Sequence, residues 1–469
     1  MALALAYHRA ALFGAALAYL AAPAVASANG RYPAAGQIAL DPASGSTILV
    51  RATYGLLLTG DHGKDWSWIC EDAVGFGGSE DPMLAFAADG SILAGTFEGL
   101  GVSDDTGCDW GFVGGGLAGL YVIDLAMEKG DPSKGVALIM NASGLVQLWE
   151  TGNDGAMWTQ AGASLPASFV GLTVETAPSD RNRVYASGYL GPPGYPGGIE
   201  RSDDRGATWQ PLLIPGSDQA TLPYISGIDP QDPDVLYVRL DGSPTDQLVV
   251  SRDGGMTWTK VFETKTPVMG ATASLLGFAL SPDGSTVAVG GPMDGLWTAP
   301  ATTLAFSQVS TMSALCLTWA PEGLYGCGDE LADGFTAGIS TDQGTTWTPL
   351  LHRAGLCGPL ACGASSSVTR LCTDLWPLVA PGIGAPGCSG ASSSSASSGT
   401  GGGGGGGGQH GCGCALAGAS TAGLTSAAGA LLAALGLAAR RRRRTEKDRA
   451  IRYASPEVSA RTRRRSPGT

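Results

Sequence analysis

One octet, repeated along the chain, restricts the fold more than any other feature of the 469-residue sequence. The pattern Ser-x-Asp-x-Gly-x-x-Trp is intact at Ser103-Asp105-Gly107-Trp110, Ser202-Asp204-Gly206-Trp209, Ser251-Asp253-Gly255-Trp258 and Ser340-Asp342-Gly344-Trp347. Two further copies begin with Thr: Thr59-Asp61-Gly63-Trp66 and Thr151-Asn153-Gly155-Trp158. A seventh, at Ala299, Ala301, Thr303 and Phe306, keeps only an aromatic at its last position and is placed by register. The starts at 59, 103, 151, 202, 251, 299 and 340 lie 41 to 51 residues apart. Self-similarity at such a period marks an array of equivalent units.

The flanks repeat with the octets. Two apolar runs precede each one, as in Val235-Leu236-Tyr237-Val238 and Leu248-Val249-Val250. A further run ending in a turn lies upstream, such as Ala279-Leu280-Ser281-Pro282, and a fourth run follows, such as Thr257-Trp258-Thr259-Lys260-Val261. Short β-runs punctuated by Gly, Pro, Asp and Asn give four strands per unit. Seven such units over residues 37–355 predict an all-β, seven-bladed β-propeller, closed by packing the first blade on the seventh. The count turns on the eroded copy: without it the ring has six blades, and with a further terminal unit eight.

The octets resemble the Asp-box, or bacterial neuraminidase (BNR) repeat, of sialidases, sortilin-like receptors, xyloglucanases and photosystem-assembly-factor-like propellers. Each is expected to form the turn between the third and fourth strands, with the Asp accepting backbone N–H groups, the Gly taking positive φ and the Trp burying its ring. Asp61, Asp105, Asn153, Asp204, Asp253 and Asp342, with Trp66, Trp110, Trp158, Trp209, Trp258 and Trp347, are therefore read as structural. One per blade, their carboxylates are spread around the rim and cannot converge on a metal or a substrate. The resemblance implies that any ligand site lies on the opposite face.

That face is formed by loops between second and third strands and by connections between blades. Its candidate contacts are Tyr54, Phe97, Tyr189 and Tyr195, the last two in the insertion Tyr189-Leu190-Gly191-Pro192-Pro193-Gly194-Tyr195. Arg51 and Arg239, ending second strands, are expected to point into the same mouth. Aromatics on a Pro-stiffened loop suit sugar or protein contacts at low entropy cost. A sialidase needs three arginines on the substrate carboxylate, and this chain offers two, without the Arg-Ile-Pro signature and with an acidic mouth. A hydrolase of neutral glycans, sialidase-like or xyloglucanase-like in fold, would draw on Asp241, Asp294 and Asp329 as paired carboxylates. The favoured reading is a non-enzymatic binder of protein or glycan, with glycoside hydrolase as the alternative. No cofactor motif or metal-ligand spacing is present, and His8, His62, His352 and His410 are too scattered for a site.

Charge is divided between the ends. Of 28 basic and 41 acidic residues, 12 and 3 lie from Arg440 onward, a net of +9, which leaves a net of −22 for the preceding 439 residues. So acidic a body excludes nucleic acid as a partner. Residues 1–28 have an early Arg9, an apolar run from Ala10 to Ala22 and small residues at Ala24-Val25-Ala26-Ser27-Ala28, the layout of a secretory signal peptide. Export makes the cysteines candidates for disulfides. Cys316 with Cys327 and Cys70 with Cys108 are plausible pairs, and Cys357, Cys362, Cys372 and Cys388 cluster beyond the ring. Residues 356–388 thus read as a disulfide-stapled appendix on the last blade, with a capped helix from Ser366 to Leu378.

A Ser/Gly-rich linker over 389–411 leads into Cys412 and Cys414, an apolar stretch from Ala415 to Ala439 and five arginines from Arg440 to Arg444. Twenty-five apolar or small residues can span a bilayer, with the arginines cytoplasmic. Segment 412–444 resembles the myxobacterial C-terminal (MYXO-CTERM) sorting signal. The resemblance implies a bacterial protein cut by a sorting protease, with lipid on Cys412 or Cys414 and anchorage on the outer face of the outer membrane. Residues 445–469 read as a basic disordered tail, and the whole as a monomer.

Overall fold

In the computed structural model, residues 31–265 and 273–385 are described. They form seven four-stranded antiparallel sheets, each a simple meander with its strands in chain order. The sheets occupy residues 35–69, 83–112, 121–160, 169–218, 222–263, 277–310 and 316–351, one after another. First strands neighbour one another in a closed cycle, because the first strand of blade one also contacts the first strand of blade seven. The ring is therefore complete at seven, and the eroded unit is a full blade with strands at Gly277–Leu280, Thr286–Gly291, Gly295–Pro300 and Ser307–Ser310.

The sequence patterns follow from position in the ring. Second strands such as Gly135–Met140 and third strands such as Gly55–Thr59 are apolar almost throughout, because each sheet is covered on both faces by its neighbours. Fourth strands lie outermost; those of blades two and three are short and exposed, Gly111–Phe112 and Thr159–Gln160, whereas Ser67–Ile69 of blade one is largely buried and Gln210–Asp218 of blade four runs to nine residues. First strands line the axis and carry polar side chains that clamp the next blade's backbone. The Gln37 amide makes two hydrogen bonds with the Leu84 backbone, at 2.8 and 3.0 Å. Asp124 accepts the Val174 N–H at 2.8 Å, Thr173 Oγ1 accepts the Ile225 N–H at 2.9 Å, and Thr318 Oγ1 donates to the Ile38 carbonyl at 2.9 Å. The last of these closes the ring.

The cysteines correct two expectations. Cys316–Cys327 pairs across the first two strands of blade seven as anticipated. Cys70 and Cys108 do not pair with each other: Cys70 joins Cys372, and Cys108 joins Cys362. Cys357 is disulfide-bonded as well, and Cys388 lies outside the described residues. The appendix consequently sits on blades one and two rather than on the last blade. Ring closure explains this, since a chain leaving blade seven emerges beside blade one. There it runs along the outer strand Ser67–Ile69, with the Trp68 N–H donating to Gly358 and the Leu360 N–H donating to Trp68. The anticipated helix is two: Ser367–Cys372, capped by Ser366 accepting the Thr369 N–H, and Trp376–Ile383. Among the described residues no helix is long and apolar enough to cross a membrane. The signal peptide, Cys412, Cys414, the 415–439 span and the arginine cluster lie outside them.

Candidate functional site

The two faces of the ring can be compared atom by atom. Each intact octet joins third and fourth strands and closes on itself. In blade five, Ser251 Oγ donates to Asp253 at 2.8 Å and accepts the Gly255 N–H at 2.8 Å, while Asp253 also accepts the Thr257 N–H at 2.8 Å. The Trp258 indole N–H donates to the Gly255 carbonyl at 3.0 Å, and Trp66, Trp110, Trp158 and Trp347 repeat that bond in their own octets. Trp209 does not: its indole N–H is buried without a partner. Two successive residues take positive φ, such as Gln343 and Gly344, where the sequence pattern pointed to the glycine alone. Hydrogen bonds to their own turns hold Asp61, Asp204 and Asp253 below the usual carboxylate range and take Asp342 to about 2. These groups are committed to local structure. The eroded unit lacks this bonding and turns instead through Leu304 at positive φ.

On the opposite face the candidates separate. Tyr54 is 5% exposed, so it packs in the core rather than facing the mouth. Arg51 is turned onto backbone carbonyls of Asp81, Pro82 and Gly36, at 3.0 to 3.3 Å, tying blade one to the connection that leaves it. Asp294 is 1% exposed and accepts the Lys265 N–H at 2.8 Å. Asp329 holds its own turn through the Leu331 and Ala332 N–H groups and accepts from the Tyr32 phenol. Asp241 lies 3.8 Å from Arg239. Among the described residues no two of Asp241, Asp294 and Asp329 share a hydrogen-bond or ion-pair partner. No group of three His, Cys, Asp or Glu among the described residues is disposed to hold a metal.

Four candidates do come together, on blades four and five. Blade four has the longest strands, and its central hairpin, Asp180–Leu190 with Pro196–Ser202, carries Tyr189 and Tyr195 at its tip. Tyr195 sits at φ 51°, a left-handed conformation that an aromatic residue adopts at a cost of about 1–2 kcal/mol. Tyr224, on the first strand of blade five, lies within electrostatic reach of Tyr189, and Tyr189 within reach of Tyr195. The Arg239 guanidinium lies 4.7 Å from the Tyr224 ring centroid and donates to the Leu275 carbonyl at 3.0 Å. Buried Asp246 fixes the floor, accepting the Gly242 and Leu275 N–H groups at 3.1 and 2.9 Å. Burial raises the Tyr189 and Tyr224 phenols and the Asp246 carboxyl. The Tyr189 and Tyr224 phenols are thus neutral at neutral pH, and the cluster adds the Tyr195 ring and the Arg239 guanidinium with the Asp241 carboxylate 3.8 Å from it. That set can stack and hydrogen-bond, and it contains no activated nucleophile. Sequence reading found Tyr189, Tyr195, Arg239 and Asp241 but missed Tyr224. Its apolar neighbours Leu222, Pro223 and Ile225 mark it only as a strand position.

No family model and no curated protein matches the sequence. Among solved structures the chain is similar to a GH74 enzyme of Niastella koreensis, at 14% identity and TM-score 0.39, over 67% of this chain and 65% of that one. It is similar also to the GH74 xyloglucanase of Xanthomonas campestris, at 18% identity and TM-score 0.32, over 70% and 65%. A third is YCF48 bound to a D1 peptide, at 17% identity and TM-score 0.38, over 55% and 74%. The chain thus spans just under two-thirds of each GH74 enzyme named here.

Proposed function

We propose that this chain is a non-enzymatic, surface-displayed propeller that binds a protein or glycan partner on the face opposite its octets. In this reading the octets are Asp-box turns serving as scaffold. Residues 1–28 direct export, and 412–444 act as the sorting signal that leaves the body anchored to the outer surface through Cys412 or Cys414. The observation that carries the binding assignment is the convergence of Tyr189, Tyr195, Tyr224 and Arg239 on one end of blades four and five. Rigid aromatics beside a donor fork are the composition of binding hot spots. Of the carboxylates a hydrolase would draw on, Asp294 and Asp329 accept from loop backbones and Asp241 faces Arg239.

The test is a glycan and protein-surface array probed with the full chain and with Tyr189→Ala and Tyr224→Ala variants. Binding by the wild type that falls at least tenfold in both variants supports the reading. Turnover of polysaccharide that disappears in Asp294→Asn or Asp329→Asn would replace it with the hydrolase. Cell fractionation of a Cys412→Ala, Cys414→Ala double variant checks the anchor, which fails if surface display persists unchanged.

A further inference from the structure

The rim between blades two and three carries a second aromatic feature, separate from the tyrosine cluster. Phe97, in the turn between the second and third strands of blade two, is 52% exposed. Its ring stacks on Tyr121 with centroids 4.7 Å apart and planes inclined by 25°. Phe112, also exposed, packs beside Gly99 on the same turn. Single apolar side chains in water need no explanation, but aromatic rings from three elements gathered at one exposed turn do.

The turn is held rigidly. Glu80 accepts the Phe97 N–H at 2.6 Å, and Thr96 Oγ1 accepts the Glu98 N–H at 3.2 Å while donating to the Gly99 carbonyl at 2.8 Å. A partner meeting Phe97 therefore finds it already positioned, with little order left to impose.

Charge indicates the chemistry of that partner. Glu80, Asp81 and Glu98 share this rim; burial raises the Glu80 carboxyl, and the charges of Glu98 and Asp81 add to that. Of the nearby cations, Arg31 is bound to the Asp81 carboxylate at 2.6 and 2.9 Å, and Arg51 is turned onto the Asp81 and Pro82 carbonyls. Exposed Glu98 has no ion-pair partner among the described residues. An aromatic face next to an uncompensated carboxylate favours a planar, weakly hydrated cation. A neutral sugar would use the ring and leave the charge unanswered, and an anion would be repelled.

We infer that the Phe97–Tyr121 platform, with Glu98, binds an arginine side chain presented by an extended segment of a partner protein. The test titrates the full chain, calorimetrically, with hexa-arginine, hexa-lysine and cellohexaose. Hexa-arginine is expected to bind most tightly. Phe97→Ala should weaken it about tenfold and Glu98→Gln about threefold with a shallower salt dependence, while Phe97→Trp, which keeps a π-face, retains binding. Glu98 is exposed and Phe97→Ala loses only the stack on Tyr121, so the unfolding midpoint should fall by no more than about a few degrees. Tyr224→Ala should leave hexa-arginine affinity within twofold, which separates failure here from failure of the blade four site. The inference is overturned if Phe97→Ala and Glu98→Gln leave the affinity within twofold. It is overturned equally if Phe97 is needed for cellohexaose and not for hexa-arginine.

Discussion

Two arcs of the ring solve the same mechanical problem with different chemistry. Where blades seven, one and two meet, the appendix is stapled on by Cys70–Cys372 and Cys108–Cys362, closing separations of 302 and 254 residues. Where blades three, four and five meet, no disulfide is present among the described residues, and ion pairs supplement the apolar packing between blades. Arg205, at the fourth position of the blade four octet, reaches both Glu128 and Glu150 of blade three, and Arg181 adds a second contact to Glu128 at 2.7 Å. Arg183 bridges Asp203 and Asp234, and Arg201 donates to the Gly254 carbonyl at 3.3 Å, tying blade four to blade five. Covalent closure resists pulling and pH but answers to reductant; ionic closure answers to pH and salt. The first arc is the one that leads on to the proposed tether, and the second carries the proposed binding site.

The largest effect is expected on the covalent arc. Replacing Cys70, Cys108, Cys362 and Cys372 by alanine removes two closures worth about 2–5 kcal/mol each and uncovers the edge of blade one. Chemical denaturation should show a marked fall in midpoint, and limited proteolysis should release the appendix first. Intact stability would mean that the Trp68–Trp376 contact and the added strand suffice without the staples.

Acid–base titration should mark the ionic arc instead. Asp124, clamped between blades three and four, is raised by burial to about 7, and buried Glu200 of blade four likewise. A carboxyl whose folded value exceeds its unfolded value near 4 keeps its proton more firmly when folded. Its contribution is full below about pH 4 and declines as pH rises to about 7, by up to roughly 4 kcal/mol for a three-unit shift. Urea unfolding at pH 5 and pH 8 should therefore show lower stability at pH 8, and Asp124→Asn should reduce the difference. A difference of unchanged size in the variant would remove Asp124 from the explanation. Next in size is Arg205→Ala, which strips a cation from Glu128, whose side chain is only 7% exposed. Arg181 remains, so a loss of about 2 kcal/mol is expected. A loss that persists at high salt supports a buried pair rather than a surface one.

How far the sequence leads depends on whether a structural rule is local. Octets are local: their spacing located all seven blades, because turn, strand and tryptophan positions are set within eight residues. Cross-ring partners are not. Nothing in the neighbourhood of Cys70 says that residue 372 will come to lie beside it, since that follows only from ring closure. Arg51 and Arg239 lie on equivalent strands and both donate to a carbonyl in their own blade's exit, yet only Arg239 also lies against an aromatic ring, that of Tyr224. Tyr54 and Phe97 occupy equivalent loops and end buried and exposed respectively. On the face opposite the octets each loop is shaped by its neighbours, so a repeat that fixes the scaffold is silent about the proposed site.

The smallest expected effect probes the octet itself and returns to the difference between its intact and eroded forms. Ser251 is 1% exposed, and its hydroxyl is the acceptor for the Gly255 N–H as well as a donor to Asp253. Ser251→Ala leaves that buried N–H without an acceptor, a loss of about 1–2 kcal/mol by denaturant titration. In blade six, Thr303 is exposed and its hydroxyl meets only the Ala305 N–H, at 3.5 Å. Thr303→Ala should therefore change stability by no more than about 0.5 kcal/mol. If both cost the same, the octet's side-chain bonds are not what hold its turn, and strand pairing alone would explain why blade six folds without them. If the costs differ as stated, blade six keeps its shape through packing that the other blades supplement with their octets.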